Sequence, residues 1–510
     1  MAKGRRSKPQ THARKLDVSM NRVLRVPEVQ ILVFENLRET GQLSSLANVA
    51  STCQDLKEKA LDALWLSQTK LSLLIQVMPS DLWKHDKQKS MIIFNRALEE
   101  SDWLRFDYYS RRMRKLELDD LSYLDIFGPN FDEKVLLDES VFKELSAYRP
   151  TRDLFPNLTE IQIEILDLNM AASISYLPAF LGPKVTHINI TALFDFRSLS
   201  DTLPVSNNLP AFLSSVGRLC PRIRKFQLNT DEALLAPLKK LLKGLRHLRA
   251  LTLECPMDPE ILRQLVNLPD LRYLSLCAVR PSRKFKFNMS LETAAGLLSR
   301  LKVPFEHLTI KINLPTIMRT SSLTAMMQAL VHHTCVSSLT HLQLFDGDGP
   351  YDLEKQHYKD PDAIRATMTL IFALKALRVL SIQYYFASYL DDEWIASASK
   401  AWPFLENLHL GKNRSAPTAT LAGLIPLIRR CPRLKQIAIS IHVTPFDTAL
   451  LHPGDRNMNI TSLHLLSSTL SNPPRAFRCL VILFPNLTKV DAVGLTKKEQ
   501  DWVYLQKLLE

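Results

Sequence analysis

The sequence holds no run of about 20 consecutive apolar residues, the length a membrane-spanning helix needs. The charge-free stretch from Leu168 to Pro183 is short and broken by Asn, Ser and Pro. The first residues, MAKGRRSKPQTHARK, are basic and polar and lack the apolar core of a secretory signal. The expected location is therefore the cytoplasm, the nucleus or both, with no membrane partner. Seven cysteines form no CxxC pair, so neither a disulfide framework nor a zinc module is expected. Also missing are GxxxxGK[ST], HExxH, GxSxG and the kinase-type HRD motif. No catalytic residue, metal or cofactor is assigned, and the expectation is a protein that is not an enzyme.

What is present is the composition of a folded soluble protein: 46% hydrophobic and 23% charged residues. A chain of 510 residues exceeds one ordinary core, which implies two domains or a repeat array. The net charge of +13 is uneven, because residues 1–21 carry six Lys/Arg against Asp17. This tail reads as a solvated arm, with an import signal in Lys3 to Lys8 as the alternative. It has no aromatic side chain to stack on bases, so nucleic acid is not an expected partner.

Self-similarity decides the architecture. The pattern LxxLxL, with Ile, Val, Met or Phe allowed, begins at Leu158, Val185, Ile223, Leu248, Leu271, Phe305, Leu339, Leu377, Leu405, Leu434, Ile460 and Leu487, with a further candidate at Met113. Proline stands two positions ahead at Pro156, Pro221, Pro269, Pro403, Pro432 and Pro485. Proline cannot continue a helix and drives its predecessor into extended backbone, so it marks a change from helix to strand. Cys220 and Cys431 sit at this junction in CPR and read as small buried apolar residues. Amphipathic segments fill the intervals: 233–245, 290–301, 322–333 and 420–431. Each unit is a short strand plus a helix that cannot bury its apolar face alone. Stacking the units gives an α/β leucine-rich-repeat solenoid of about 12–13 irregular repeats over 113–495, with a last helix at 496–510. Only LENLHLGKN (405–413) carries the full consensus with its Asn.

Strand alternation turns the first, fourth and sixth motif positions inward, and the third and fifth toward solvent. Five of the 13 histidines fall at those outward positions: His187, His307, His341, His409 and His464. His307 and His341 occupy the same position in consecutive units, so they are expected as neighbours about 4.8 Å apart. Two histidines without a third ligand define no metal site. The outward rows offer either the ordinary polar surface of a solvated sheet or a neutral, hydrogen-bonding face for a protein ligand. Loops add aromatic and basic candidates: Arg283 and Phe285, Tyr351, and Tyr384 in YYFASYLDDEW. His307, His341, His409, Arg283, Phe285, Tyr351 and Tyr384 are the candidate contacts for an unidentified protein substrate.

Ahead of the repeats, residues 22–66 read as three short helices, with an expected helical linker after them over 67–112. Pro27 opens the first helix, and Val29, Val33, Phe34 and Leu37 come next at helical spacing. VPEVQILVFENL (26–37) and LANVASTCQDLKEKALDALW (46–65) resemble the F-box of fungal (basidiomycete-like) proteins, with Gln30, Thr52 and Gln54 as departures. KLSLLIQVMPSDLW (70–83) and YYSRRMRKLEL (108–118) are similar to the segments C-terminal to such F-boxes. The resemblance implies a substrate-recognition subunit of an SCF (cullin-RING) ubiquitin ligase. The module would dock on a Skp-family adaptor tied to a cullin scaffold, with Val26, Pro27, Val29, Val33, Phe34, Leu37, Val49 and Cys53 facing that adaptor. Several of these, Val33 and Val49 above all, serve equally well to close the module's own core. The other reading is a leucine-rich-repeat scaffold outside ubiquitination.

Overall fold

The computed structural model describes residues 26–509 apart from 53, 87–90, 119–135, 148–152, 166–167, 193–207, 231–234, 256–258, 278–288, 313–318, 347–359, 385–386, 388, 412–416 and 493–498. These residues fall into two compact units, one within 1–120 and 135–160, the other within 161–510.

The first unit opens with three helices: α1 (Pro27–Glu39), α2 (Leu43–Thr52) and α3 (Gln54–Trp65). Pro27 sits in the first turn of α1, where a missing N–H leaves no bond unmade. Gly41 ends α1 at φ +73°, the left-handed geometry glycine adopts without a Cβ penalty, and its N–H reaches the Arg38 carbonyl at 3.0 Å. Phe34, Leu46 and Ala60 form the core, with Leu37, Val49, Ala50, Leu56, Ala63 and Leu64 packed against it.

Residues 67–112 are not simply the helical linker expected. They hold β1 (Ser67–Gln68), α4 (Ser72–Gln76), β2 (Trp83–Asp86), β3 (Met91–Phe94) and α5 (Trp103–Ser110). The aromatic and β-branched run around Trp83, Ile92, Ile93 and Phe94 favours a pleated surface over a helix. Next come β4 (Lys115–Leu118), parallel to β1, and β5 (Leu136–Leu137), parallel to β3, then α6 (Glu139–Ala147). Arg112 joins the three-helix module to α5. Its buried guanidinium bonds Glu58 and Asp62, and it lies 4.5 Å from the centre of the Tyr108 ring.

The second unit is a solenoid. Its strands are β6 (Glu160–Ile165), β7 (His187–Ala192), β8 (Lys225–Thr230), β9 (Ala250–Glu254), β10 (Tyr273–Cys277), β11 (His307–Ile312), β12 (His341–Asp346), β13 (Val379–Gln383), β14 (Asn407–Leu410), β16 (Gln436–Ile439), β18 (Ser462–His464) and β20 (Lys489–Asp491). They lie side by side in chain order, and the registers from β7 onward are parallel. The short strands β15 (Ala419–Thr420), β17 (Ile441–Val443) and β19 (Thr469–Leu470) make a second parallel sheet.

Helices return the chain between strands, among them α7 (Asn208–Leu219), α8 (Leu235–Gly244), α9 (Pro259–Leu265), α10 (Leu291–Arg300), α11 (Thr320–Val331), α12 (Pro361–Met368), α13 (Asp392–Ala401), α14 (Ile425–Arg430) and α15 (Pro473–Leu483). The last helix, α16, spans Glu499–Leu509. Between β6 and β7 the return is a 3₁₀ run, Leu168–Phe180, in which Pro178 removes a helical donor.

Two columns of apolar side chains hold the stack. Ile188, Phe226, Leu251, Leu274, Leu308, Leu342, Leu380, Leu408 and Ile437 share one register, and all are buried. Ile190, Leu228, Leu253, Leu276, Ile310, Leu344, Ile382, Leu410 and Ile439 make the second. Each such side chain contributes about 1.5–3 kcal/mol by leaving water. The strand-to-strand step is fixed by one repeated hydrogen-bond device. From β7 to β14 the carbonyl just ahead of the strand accepts two consecutive N–H groups from the next repeat. Thus Arg224 receives Arg249 and Ala250, Arg249 receives Arg272 and Tyr273, and Arg272 receives Glu306 and His307, all at 2.7–3.1 Å. Cys220 and Cys431 are buried, and burial pushes both thiols up to about 12, as small apolar plugs require. The result is a leucine-rich-repeat solenoid with its helices and leucines on one side of the sheet and a polar, open face on the other.

Candidate functional surfaces

The first surface is on the three-helix module. α1 turns Phe34 inward, so Val26, Ile31, Leu32 and Val33 are left exposed, with Leu43 exposed at the start of α2. Leu32 is 66% exposed and Ile31 51%. Phe34, expected to face an adaptor, is instead 5% exposed in the core, because it is the largest apolar side chain that α1 can pack onto Leu46 and Ala60. Leu37 and Val49 likewise pack against that core, and Val29 is half-buried. Pro27 is exposed; Cys53 lies outside the described residues.

Ile31 and Leu32 were absent from the sequence expectation. The signal for them was available: with Phe34 and Leu37 assigned inward, Leu32 falls on the far side of a 3.6-residue turn. Gln30, the departure from the F-box pattern, is buried and accepts a hydrogen bond from the Lys59 amine, which meets the requirement of a polar group placed among apolar ones.

The second surface is the open face of the solenoid. From β9 to β14 its two central rows read Ala250, Tyr273, His307, His341, Val379, Asn407 and Thr252, Ser275, Thr309, Gln343, Ser381, His409. No carboxylate, lysine or arginine stands in either row. The His307 and His341 rings stack with centroids 3.8 Å apart and 11° between planes, and Tyr273 lies 5.2 Å from His307. The Thr340 hydroxyl is 2.8 Å from His341 Nδ1 and fixes that ring.

Burial lowers the pKa of His307, against a smaller raising influence from Glu306. Burial also lowers that of His341, helped by His307 and Arg378. Both imidazoles are therefore neutral at pH 7 and present hydrogen-bonding and π surface without charge. In the second row Thr309 donates to Gln343 at 3.3 Å and Gln383 donates to Ser381 at 3.1 Å.

The remaining expected contacts separate from this pair. His409 lies in the second row, 3.5 Å from the Gln383 amide and not beside His341; burial, then His464, lowers its pKa. Tyr384 is a correction: it is 1% exposed, and its hydroxyl donates to the Phe345 carbonyl at 2.9 Å. A buried tyrosine needs a partner for its hydroxyl, and here the Phe345 carbonyl of β12 supplies it. Arg283, Phe285 and Tyr351 lie outside the described residues. Among the described residues no group of three metal-ligating side chains occurs. No helix among them is long and apolar enough to cross a membrane.

No family model matches the sequence, and no curated protein does. Among solved structures, the chain is similar to an internalin (inlF) from Listeria monocytogenes, with 15% sequence identity and a TM-score of 0.29. That match covers 67% of this chain and 82% of the internalin. The leucine-rich-repeat architecture rests on the strand registers above.

Proposed function

We propose that this chain is a substrate-receptor subunit of an SCF (cullin-RING) ubiquitin ligase, working in the cytoplasm, the nucleus or both. The three-helix module docks on a Skp-family adaptor bound to a cullin scaffold, and the open face of the solenoid holds a protein substrate. The observation that carries the reading is the set of exposed apolar side chains Val26, Ile31, Leu32, Val33 and Leu43 on a module that also resembles an F-box in sequence. Five large apolar side chains on about 40 residues are more than a free surface of that size commonly shows, and they suit a covered interface.

The chain needs no catalytic group of its own. It acts by proximity, presenting a bound substrate to a ubiquitin-charged enzyme elsewhere in the complex. The neutral row around His307 and His341 suits a hydrogen-bonding protein ligand more than a charged small molecule. Affinity purification with mass spectrometry tests the assignment. Adaptor and cullin peptides are expected with the wild-type chain and lost with Leu32→Asp/Val33→Asp, while solenoid-bound proteins persist. Absence of adaptor peptides from the wild-type sample overturns it. The coarser reading, an interaction scaffold outside ubiquitination, is favoured if proteins are then still captured through the open face.

A further inference from the structure

The residue just ahead of the strand, whose carbonyl takes two N–H groups from the next repeat, also sets out one side chain per repeat. From β8 to β14 these are Arg224, Arg249, Arg272, Glu306, Thr340, Arg378 and Glu406, and Lys435 holds the same position ahead of β16. The first three form an uninterrupted column of guanidinium groups on consecutive parallel strands. Arg224 and Arg249 are exposed and Arg272 half-buried. Arg272 donates only to the neighbouring Leu271 carbonyl, at 3.2 Å. Among the described residues no carboxylate lies within ion-pair distance of any of the three. Exposed Arg222, Lys225 and Arg246 flank them. The nearby acids are Asp270, which faces His247 at 4.0 Å, and Glu306, which closes the far end of the column.

Like charges at matched positions of adjacent strands repel and cost stability. The same row shows the ordinary remedy farther along: Arg378 and Lys435 both pair with Glu406, at 3.7 and 2.8 Å. The sequence could have alternated signs in both places and does so in one.

We propose that the Arg224–Arg249–Arg272 column is a docking site for an acidic segment of a partner protein, bound in extended form through its Asp and Glu side chains. Guanidinium forks match carboxylates two bonds at a time. Adjacent strands are about 4.8 Å apart, so the column spans about 10 Å, close to one polyproline-II turn of three residues at about 3.1 Å each. Acidic residues at i and i+3 share a face of that three-residue turn and therefore reach both ends of the column. Glu306 stops the column at that length, shorter than a groove tracking about 4–16 nucleotides of a single strand. The site belongs to the solenoid alone and does not depend on the adaptor docking proposed above.

The test is fluorescence anisotropy with the full chain and a fluorescein-labelled peptide carrying Glu at every third position. The same peptide with Gln and a single-stranded RNA oligonucleotide serve as comparisons. The Glu peptide is expected to bind and the Gln peptide not. Arg224→Glu/Arg249→Glu/Arg272→Glu should weaken binding at least about tenfold, as the loss of charge-assisted pairs implies. Lys143→Glu/Lys243→Glu/Arg300→Glu, the same charge change placed on helices, should leave it within about threefold. Should the reversed triple fail to fold, Arg224→Gln/Arg249→Gln/Arg272→Gln gives the same comparison. Equal loss in the helix-borne control, no loss in the column variant, or tighter binding of the RNA than of the Glu peptide would each overturn the proposal.

Discussion

Arg224, Arg249 and Arg272 stand in the same slot of the repeat as Arg378, Glu406 and Lys435, directly ahead of a strand of the long sheet. In the second trio the charges alternate and pair, and the Lys435 ammonium, foremost, holds the Glu406 carboxyl below its usual range. In the first trio nothing alternates. The carbonyls of Arg378 and Glu406 take two N–H groups just as those of the three arginines do, so the backbone does not require the difference. It teaches where to separate scaffold from surface: inward positions repeat because the core needs them, and an outward position that repeats at a cost has another use.

The largest expected effect comes from breaking the frame both trios share. Leu342→Ala, in the middle of the first buried column, should cost about 2–5 kcal/mol in urea unfolding. A smaller effect is expected near the paired trio. There the Asp392 carboxylate clasps the Thr420 N–H and hydroxyl, both at 2.7 Å, and a Cβ on Gly423 would collide with that carboxylate. Gly423→Ala should destabilise by about 1–3 kcal/mol in the same assay and leave acidic-peptide binding unchanged.

Exchanging the two charge patterns tests the comparison itself. Arg249→Glu converts the first trio to alternating signs; thermal unfolding should show a gain of about 0.2–1 kcal/mol together with weaker acidic-peptide binding. Glu406→Arg should do the reverse, losing a similar amount and creating a second anion site.

The smallest effect concerns the neutral row beside the first trio. NMR titration should place His307 and His341 below 6.5, and His307→Ala should raise His341 toward its ordinary value. Because their folded pKa values are depressed, the folded state binds fewer protons than the unfolded chain. Stability from this pair is full above about pH 6.5 and declines as pH falls through and below it.

The solenoid was legible in the sequence because its signal repeats. The LxxLxL starts and the prolines ahead of them place every strand from β6 to β20 of the long sheet, and the His307–His341 contact comes from register alone. The return paths were less legible, since Pro178 turns one of them into 3₁₀ geometry without disturbing the strand on either side. Residues 67–112 were expected as a helical linker, but pairing of Trp83 with Phe94 is a nonlocal choice that local sequence does not record. Phe34 and Tyr384 illustrate the limit for surfaces. Both are aromatic residues at positions suited to binding, and both are consumed by packing, Phe34 in the three-helix core and Tyr384 where its hydroxyl meets the Phe345 carbonyl of β12. The arginine column was written in the sequence, yet it becomes visible only when the second motif position is read across repeats.

The most direct test of the central claim, that the exposed apolar side chains of α1 serve docking, is size-exclusion chromatography of the purified full chain mixed with a purified Skp-family adaptor. The account predicts co-elution as a single earlier peak that Leu32→Asp/Val33→Asp abolishes without loss of helical signal. Separate elution of the two wild-type proteins would contradict it.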